Sequence, residues 1–557
     1  MYPQLVERGG TRAASRFTRT DAVRAAISVV LLVGAACTTG GGDGQSGSPS
    51  AGGGEQSARV VETGVLRLPV TAEVVVDPLA VVASDPAAML TLDVLYDGLT
   101  SFPGGLVERD GQWVQPDEPV MNLARAMEPS ADNRVWTIQL ADRTFSDGSP
   151  IRAADVKASL EYLARPGPSS LAGTRLSIVQ GSPEFVGRTA DELTGVRVVD
   201  DQTLELTLSE PYPDLPALFA SPLFGVLPAR VVDTGFFLWD RMTSGSYEVV
   251  EVSDDRRQLR LARRAGVQDG PDLIEFHAFD DWPAAYEAFR RGELDWSPVP
   301  TGVGAEEHDG SWLVPSNVVV WLVLPMTGAF SDPAARTALA QLIDAEQVRE
   351  RAFADSRALL GLVPVGLAGD RVDQSDVCGA LCNPNPSAGA AVLNQRFPSG
   401  VPEIQITALD DPTQRAVVDE VVRMLGEAGI RTNVQLLTID EFFERADRVD
   451  AGLKLSGAVG LVPSQDDYLS TFLQNDGVVA SLVDPSVGES LRSVRAVTDQ
   501  RERSTRCAEL EARLLAQALV LPIAQLELRH QVSERVSGWA LRLDGSVAIE
   551  KVSVGEN

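Results

Sequence analysis

The sequence predicts an α/β protein of two lobes, and three observations lead there. The chain has 557 residues, beyond the ~250–300 at which a single hydrophobic core stops growing. Its later half alternates amphipathic helices with strands, the order expected of sheets covered by helices. One run, "NVVVWLVLP" from Asn317 to Pro325, is apolar on both faces and therefore belongs inside a sheet, not at its edge.

In chain order, the N-terminus comes first. Arg8, Arg12, Arg16, Arg19 and Arg24 precede the apolar run "AAISVVLLVGAA", which is too short to span a membrane comfortably. Small residues and Cys37 follow. This order resembles a bacterial lipoprotein signal, which implies removal of residues 1–36, lipid attachment at Cys37 and anchoring to the outer face of the cell membrane. Gly34 stands where such signals usually carry a branched residue. Residues 37–58 are rich in Gly and Ser and without apolar periodicity, so they read as a flexible tether reaching about 25 Å.

Loss of residues 1–36 removes five Arg and two acids and moves the formal charge from −30 to −33. Acidity therefore belongs to the exported body. Such a surface cannot supply the basic footprint that phosphate backbones require, which excludes nucleic acid as a partner.

The body opens near Arg59 with a strand that runs into a turn at Asp77-Pro78. Period-two patterns predict strands at Val135–Ala141, Gln202–Pro211, Arg257–Arg264 and Leu273–Phe279. Helices separate them. Asp281 caps one that carries Pro283 in its first turn and stops at Gly292. "SDPAARTALAQLIDAEQVRERAFA" reads as one helix capped by Ser331 or Asp332, with Ala335, Leu339 and Leu342 inward. "DPTQRAVVDEVVRMLGEAGI" repeats the design, with Val417, Val421, Val422 and Leu425 inward and Gly429 ending it. The passage into the second lobe is expected just before Asn317, giving a first lobe of 59–316 and a second of 317–518. Residues 519–557 would pack back on the first lobe.

Three cysteines follow Cys37. Cys378 and Cys382 could close a small disulfide loop and leave Cys507 as a buried thiol, and either could instead pair with Cys507. No zinc site is expected, because C-x₃-C lacks a second pair and His277 and His530 sit in strand-like runs.

The stretch "TFSDGSPIRAADVKASLEYL" is polar enough to suggest chemistry, yet its groups have simple uses. Asp147 and Gly148 suit a turn, Asp155 complements a helix dipole for about 0.3–1 kcal/mol, and Glu161 can face solvent. The chain lacks G-x-S-x-G, H-E-x-x-H and P-loop motifs, and "GVGAEE" at Gly302 misses the last Gly of a dinucleotide fingerprint. With three His in all, no enzyme is expected.

"LYDGLTSF" and then "MNLARAMEPSADNRVWTIQLADRTFSDGSPIRAADVKASLEYL" resemble the segment shared by family 5 extracellular solute-binding proteins, the large oligopeptide and dipeptide type. The likeness continues in order through "SGSYEVVEVSDDRRQLRLARR", "AAYEAFRRGELDWSPVP" and "VVRMLGEAGIRTNVQLLTIDEFFE". It implies a two-lobed α/β, periplasmic-binding-protein-like fold of the large peptide-binding type. A ligand would sit in the cleft between the lobes of a monomeric receptor that serves an ABC permease without a cofactor. Closure would be hinge motion stabilised by the ligand's contacts.

In peptide-binding relatives a Trp and an Asp follow the second-lobe strand, the Asp pairing with the peptide's ammonium. Ala458 and Leu461 stand at those positions here. Without a partner a buried ammonium costs several kcal/mol, so Asp466 or Glu73 would have to substitute, and Asp466→Ala would then abolish binding of a cationic ligand. Leu324 and Pro325 replace the family's Asn, "RRAGVQDGPD" replaces an aromatic-rich segment, and Arg152 stands at a helix cap usually held by Thr. The resemblance places the ligand along Ala72, Glu73 and Val74, with Trp321 either in the pocket or in the core, and with Gly457, Leu461, Gln465 and Asp466 from the second lobe. The lost ligand residues imply an oligopeptide-like or a divergent apolar or glycolipid ligand. The alternative is a non-transport envelope lipoprotein that keeps the fold and meets a glycolipid or a protein.

Overall fold

The computed structural model describes residues 64–81, 85–109, 112–115, 118–165, 171–234, 241–300, 311–365, 367, 377–438, 441–442, 452–475, 486–497 and 499–555. The signal, the tether, Cys37, Gly34 and the segment with "GVGAEE" and His308 lie outside them. The fold is a two-lobed mixed α/β architecture. Among the described residues no helix is long and apolar enough to cross a membrane.

The strand Val65–Thr71 runs parallel to Leu273–Phe279, and Gln258–Arg263 and Tyr247–Val252 extend that sheet antiparallel. At its end Ala72 has φ 62°, and its N–H donates to the Phe279 carbonyl at 2.7 Å. The chain then turns at Asp77, whose Oδ1 accepts from the Leu79 N–H at 2.9 Å.

A second sheet of four strands is antiparallel throughout, in the order Ala124–Pro129, Val135–Leu140, Thr203–Thr207, Val196–Asp200. Trp136, Ile138 and Leu140 point into the core and the residues between them do not, as period two requires. The helix Ala153–Leu163 packs against this sheet with Val156, Leu160 and Leu163 buried. Arg152 provides no side-chain cap. Asp155 compensates: its Oδ2 accepts the Arg152 N–H at 2.9 Å and its Oδ1 the Ala229 N–H at 3.0 Å, so it joins two segments besides meeting the dipole. Glu161, expected in solvent, is half-buried and accepts the Leu193 N–H at 3.0 Å.

The third sheet has five strands, with the order Trp296–Pro298, Val520–Val532, Trp312–Val323, Lys454–Val459, and Ser356–Ala358 also on Val520–Val532. Its central strand Trp312–Val323 is buried from Val318 to Val323, as its two apolar faces demand. That strand is already under way at residue 317. Val520–Val532 belongs to this sheet, paired with Trp312–Val323, and the chain runs on from it past Val532.

There Asp295, fully buried, fastens three segments. It accepts from the Arg67 N–H at 2.8 Å and from Arg67 Nη2 at 2.9 Å, and Arg535 Nη1 approaches at 3.4 Å. Further along the tail Arg542 reaches Asp93 at 2.8 Å and the Phe102 carbonyl at 2.9 Å.

Helices cover the third sheet and the parallel pair Ile404–Leu409 with Thr432–Leu437. Asp281, Asp332 and Asp411 cap their helices by accepting from main-chain N–H groups. The single helix expected after Ser331 is two, Pro333–Ala340 and Ala345–Ala352, because Asp344 accepts from the Glu346 and Gln347 N–H groups and starts a new cap. In Pro412–Glu427 it is Val418 that is buried, while Val422 is half-buried. Cys378 and Cys382 form a disulfide, and Cys507 is a buried free thiol.

Candidate functional site, the cavity between the halves

The second wall of the cavity begins at a turn that only glycine permits. A Cβ on Gly460 would lie 2.4 Å from the Tyr468 ring. Asn317 fixes the turn, accepting the Gly460 N–H at 3.0 Å and donating from Nδ2 to the Gly460 carbonyl at 2.8 Å, while the Tyr468 hydroxyl donates to the Asn317 carbonyl at 3.0 Å. The turn delivers Ser464 and then the helix Gln465–Asn475, whose first residues include two adjacent buried carboxylates, Asp466 and Asp467.

Both carboxylates are engaged. Asp467 Oδ1 pairs with Arg175 Nε at 3.0 Å, and its Oδ2 accepts from Arg175 Nη2 at 3.1 Å and from the Leu461 N–H at 3.2 Å. Burial pushes its pKa up, against the pull of Arg175. Asp466 Oδ2 accepts from Arg495 Nε at 2.9 Å, and Ser464 Oγ donates to its Oδ1 at 3.2 Å. Burial would raise the Asp466 pKa too, but Arg495 and then Arg503 outweigh it and hold the carboxyl below its ordinary value.

The partners come from opposite parts of the chain. Arg495 Nη1 pairs with Glu210 at 2.6 Å, and its guanidinium lies 5.1 Å from the centre of the Tyr212 ring. Arg503 Nη2 pairs with Asp214 Oδ1 at 2.8 Å. Asp214 has its pKa pushed up to about 7, by burial first and then by the neighbouring Asp466 charge. Three ion pairs thus join the stretch from Arg175 to Asp214 to the stretch from Asp467 to Arg503.

Between them lies a cavity of about 570 Å³. Phe102, Met121, Pro213, Asp214 and Pro216 wall one side, and Val462, Ser464, Gln465, Asp466, Arg503 and Cys507 the other. Its volume falls within the ~300–1,000 Å³ typical of small-molecule sites, and its mixture of apolar wall and a few polar groups is typical too. Gln465 Nε2 donates to Ser504 Oγ at 2.7 Å, while its buried Oε1 has no partner. Among the described residues no group of three or more His, Cys, Asp or Glu is placed to hold a metal.

The structure brings Gln465 and Asp466 to this cavity and leaves the other expected site residues away from its lining. Asp466 is not the open carboxylate expected for a ligand's ammonium, because Arg495 occupies it. Leu461 contributes its main-chain N–H to Asp467, and Gly457 is buried in a strand opposite Val320. Trp321 is core, edge-on to Phe472 at 5.3 Å. Ala72, Glu73 and Val74 follow the first sheet, Glu73 pairing with Arg256 at 3.0 Å and the Val74 N–H reaching the Arg256 carbonyl. Arg175, Glu210, Asp214, Arg495 and Arg503 were not legible, since the pairs they form across the site span 285 to 292 residues.

A two-lobed α/β fold with a cavity walled from both halves is the architecture of a solute-binding protein. The chain matches the family described as bacterial extracellular solute-binding proteins, family 5 Middle, over residues 118–479, and it belongs to that family. The periplasmic oligopeptide-binding protein OppA of Salmonella typhimurium is 31% identical over 126 residues, 21% of this chain and 23% of that protein. The probable deoxycholate-binding periplasmic protein YgiS of Escherichia coli is 26% identical over 230 residues, 39% of this chain and 41% of that protein. The chain thus aligns with less than half the length of either relative. Among solved structures, the Escherichia coli murein tripeptide binding protein MppA superposes with a TM-score of 0.68 at 16% identity, covering 88% of this chain and 99% of that one, a likeness of fold.

Proposed function

We propose that this protein is the receptor of an ABC importer, exported, tethered through a lipid on Cys37, and closing its two lobes on a small ligand that it hands to a permease. It acts as a binding protein and not as an enzyme. One observation carries the reading: the cavity of about 570 Å³ takes its wall from both halves of the chain, so a ligand there contacts both and stabilises the shut form. Family membership supports it. The relatives' names, one oligopeptide-binding and one probable deoxycholate-binding, support a ligand whose chemistry the family alone does not fix.

The test is uptake in the native cell. A deletion strain loses import of the small molecule that co-purifies with the protein, and the wild-type gene restores it. Unchanged import of that molecule in the deletion strain contradicts the receptor role. For the anchor, Cys37→Ala should move the protein from the membrane fraction to the medium or periplasm, and an unchanged membrane fraction contradicts lipidation.

A further inference from the structure

We propose that the cavity selects an uncharged ligand bearing amide or hydroxyl groups over one carrying a free ammonium or carboxylate, with Gln465 as the residue that reads it. The inference rests on the receptor reading and names the ligand class of that same site.

The buried and half-buried charges of the wall are already matched within the chain. Asp466 has Arg495, Asp214 has Arg503, and beside them Asp467 has Arg175. Arg495 in turn meets Glu210. The remaining charged wall residues, Glu118 and Arg501, are solvent-exposed. A ligand ammonium would have to take Asp466 or Asp214 from its arginine, and a ligand carboxylate would have to take an arginine from its acid. Either exchange strands a buried charge, which is strongly unfavourable.

What the wall lacks is a neutral partner. Gln465 is 9% exposed, and its amide satisfies Ser504 with one polar atom while the other is buried and unpaired. Turning the amide over only exchanges which atom is left, so the vacancy persists in either orientation. Asp214 offers no such vacancy: besides Arg503, its carboxyl meets the side chains of Ser464 and Asp466. Gln465 lines the cavity, and a ligand's amide or hydroxyl group supplies the partner its amide lacks. Phe102, Met121, Pro213, Pro216 and Val462 supply the apolar remainder.

The experiment is calorimetric titration of the mature protein with trialanine, with trialanine amide, with N-acetyl-trialanine amide and with trehalose. At least one neutral probe should bind about tenfold or more tightly than the zwitterion. Gln465→Leu should weaken that binding about tenfold, ~1.4 kcal/mol, with an unchanged circular dichroism spectrum. Gln465→Glu, which adds an unmatched charge, should shift preference toward trialanine amide with its free ammonium. Equal or tighter binding of the zwitterion, no response to Gln465→Leu, or no binding of either neutral probe overturns the proposal. Compaction by the zwitterion in solution scattering would keep the receptor reading while sinking this one.

Discussion

Arg495 is 3% exposed and sits between Asp466, Glu210 and the Tyr212 ring. Removing it leaves Asp466 buried without its charge partner, and breaking a buried pair from one side costs ~3–5 kcal/mol. Arg495→Leu should therefore lower stability in urea unfolding by about that amount, and a loss under ~1 kcal/mol would show the pair to be solvated. Asp214 gives a pH signature. Its pKa in the folded protein is raised from 3.8 to about 7, so between those values the folded state holds the proton more tightly than the unfolded chain. The stabilisation is present below 3.8 and is lost as pH rises toward about 7. Measured against Asp214→Asn, the wild type should lose stability over that window, and parallel pH profiles would contradict the assignment. The sequence suggested Asp466 as an open carboxylate because its partner Arg495 is 29 residues away, with no spacing rule to link them.

The turn at Gly460 shapes the site, and the break at Asp344 sets where one helix ends and the next begins. Gly460→Ala places a methyl 2.4 Å from the Tyr468 ring, against a hydroxyl and main chain that are already bonded. Overpacking of this kind costs ~1–3 kcal/mol, and calorimetry should show a lower unfolding temperature together with weaker ligand binding. Asp344→Ala removes a cap that serves two N–H groups and should cost about 0.5–2 kcal/mol without affecting binding. At this scale the sequence was largely legible. Caps at Asp281, Asp332 and Asp411, and strands at Val135–Leu140 and Leu273–Phe279, are written in neighbouring residues. Asp344 was missed because the apolar spacing of Ala335, Leu339 and Leu342 runs on up to it. The buried central strand was legible because its two faces are apolar in sequence as they are in space.

At the scale of the molecule, ion pairs tie the stretch containing Arg175, Glu210 and Asp214 to the stretch containing Asp467, Arg495 and Arg503, with the cavity beside them. The lobes themselves were legible from chain length and from the order of the elements. The site was legible only as a region, because its charges meet across roughly half the chain. The central claim is that a ligand in the cavity between the lobes holds them shut. Its most direct test is small-angle scattering of protein purified from its own cells, stripped of bound small molecules and then given the extracted fraction back. The radius of gyration should fall on add-back and fail to fall in Gln465→Leu at the same ligand concentration; an unchanged radius in the wild type, with binding confirmed by calorimetry, would contradict the account.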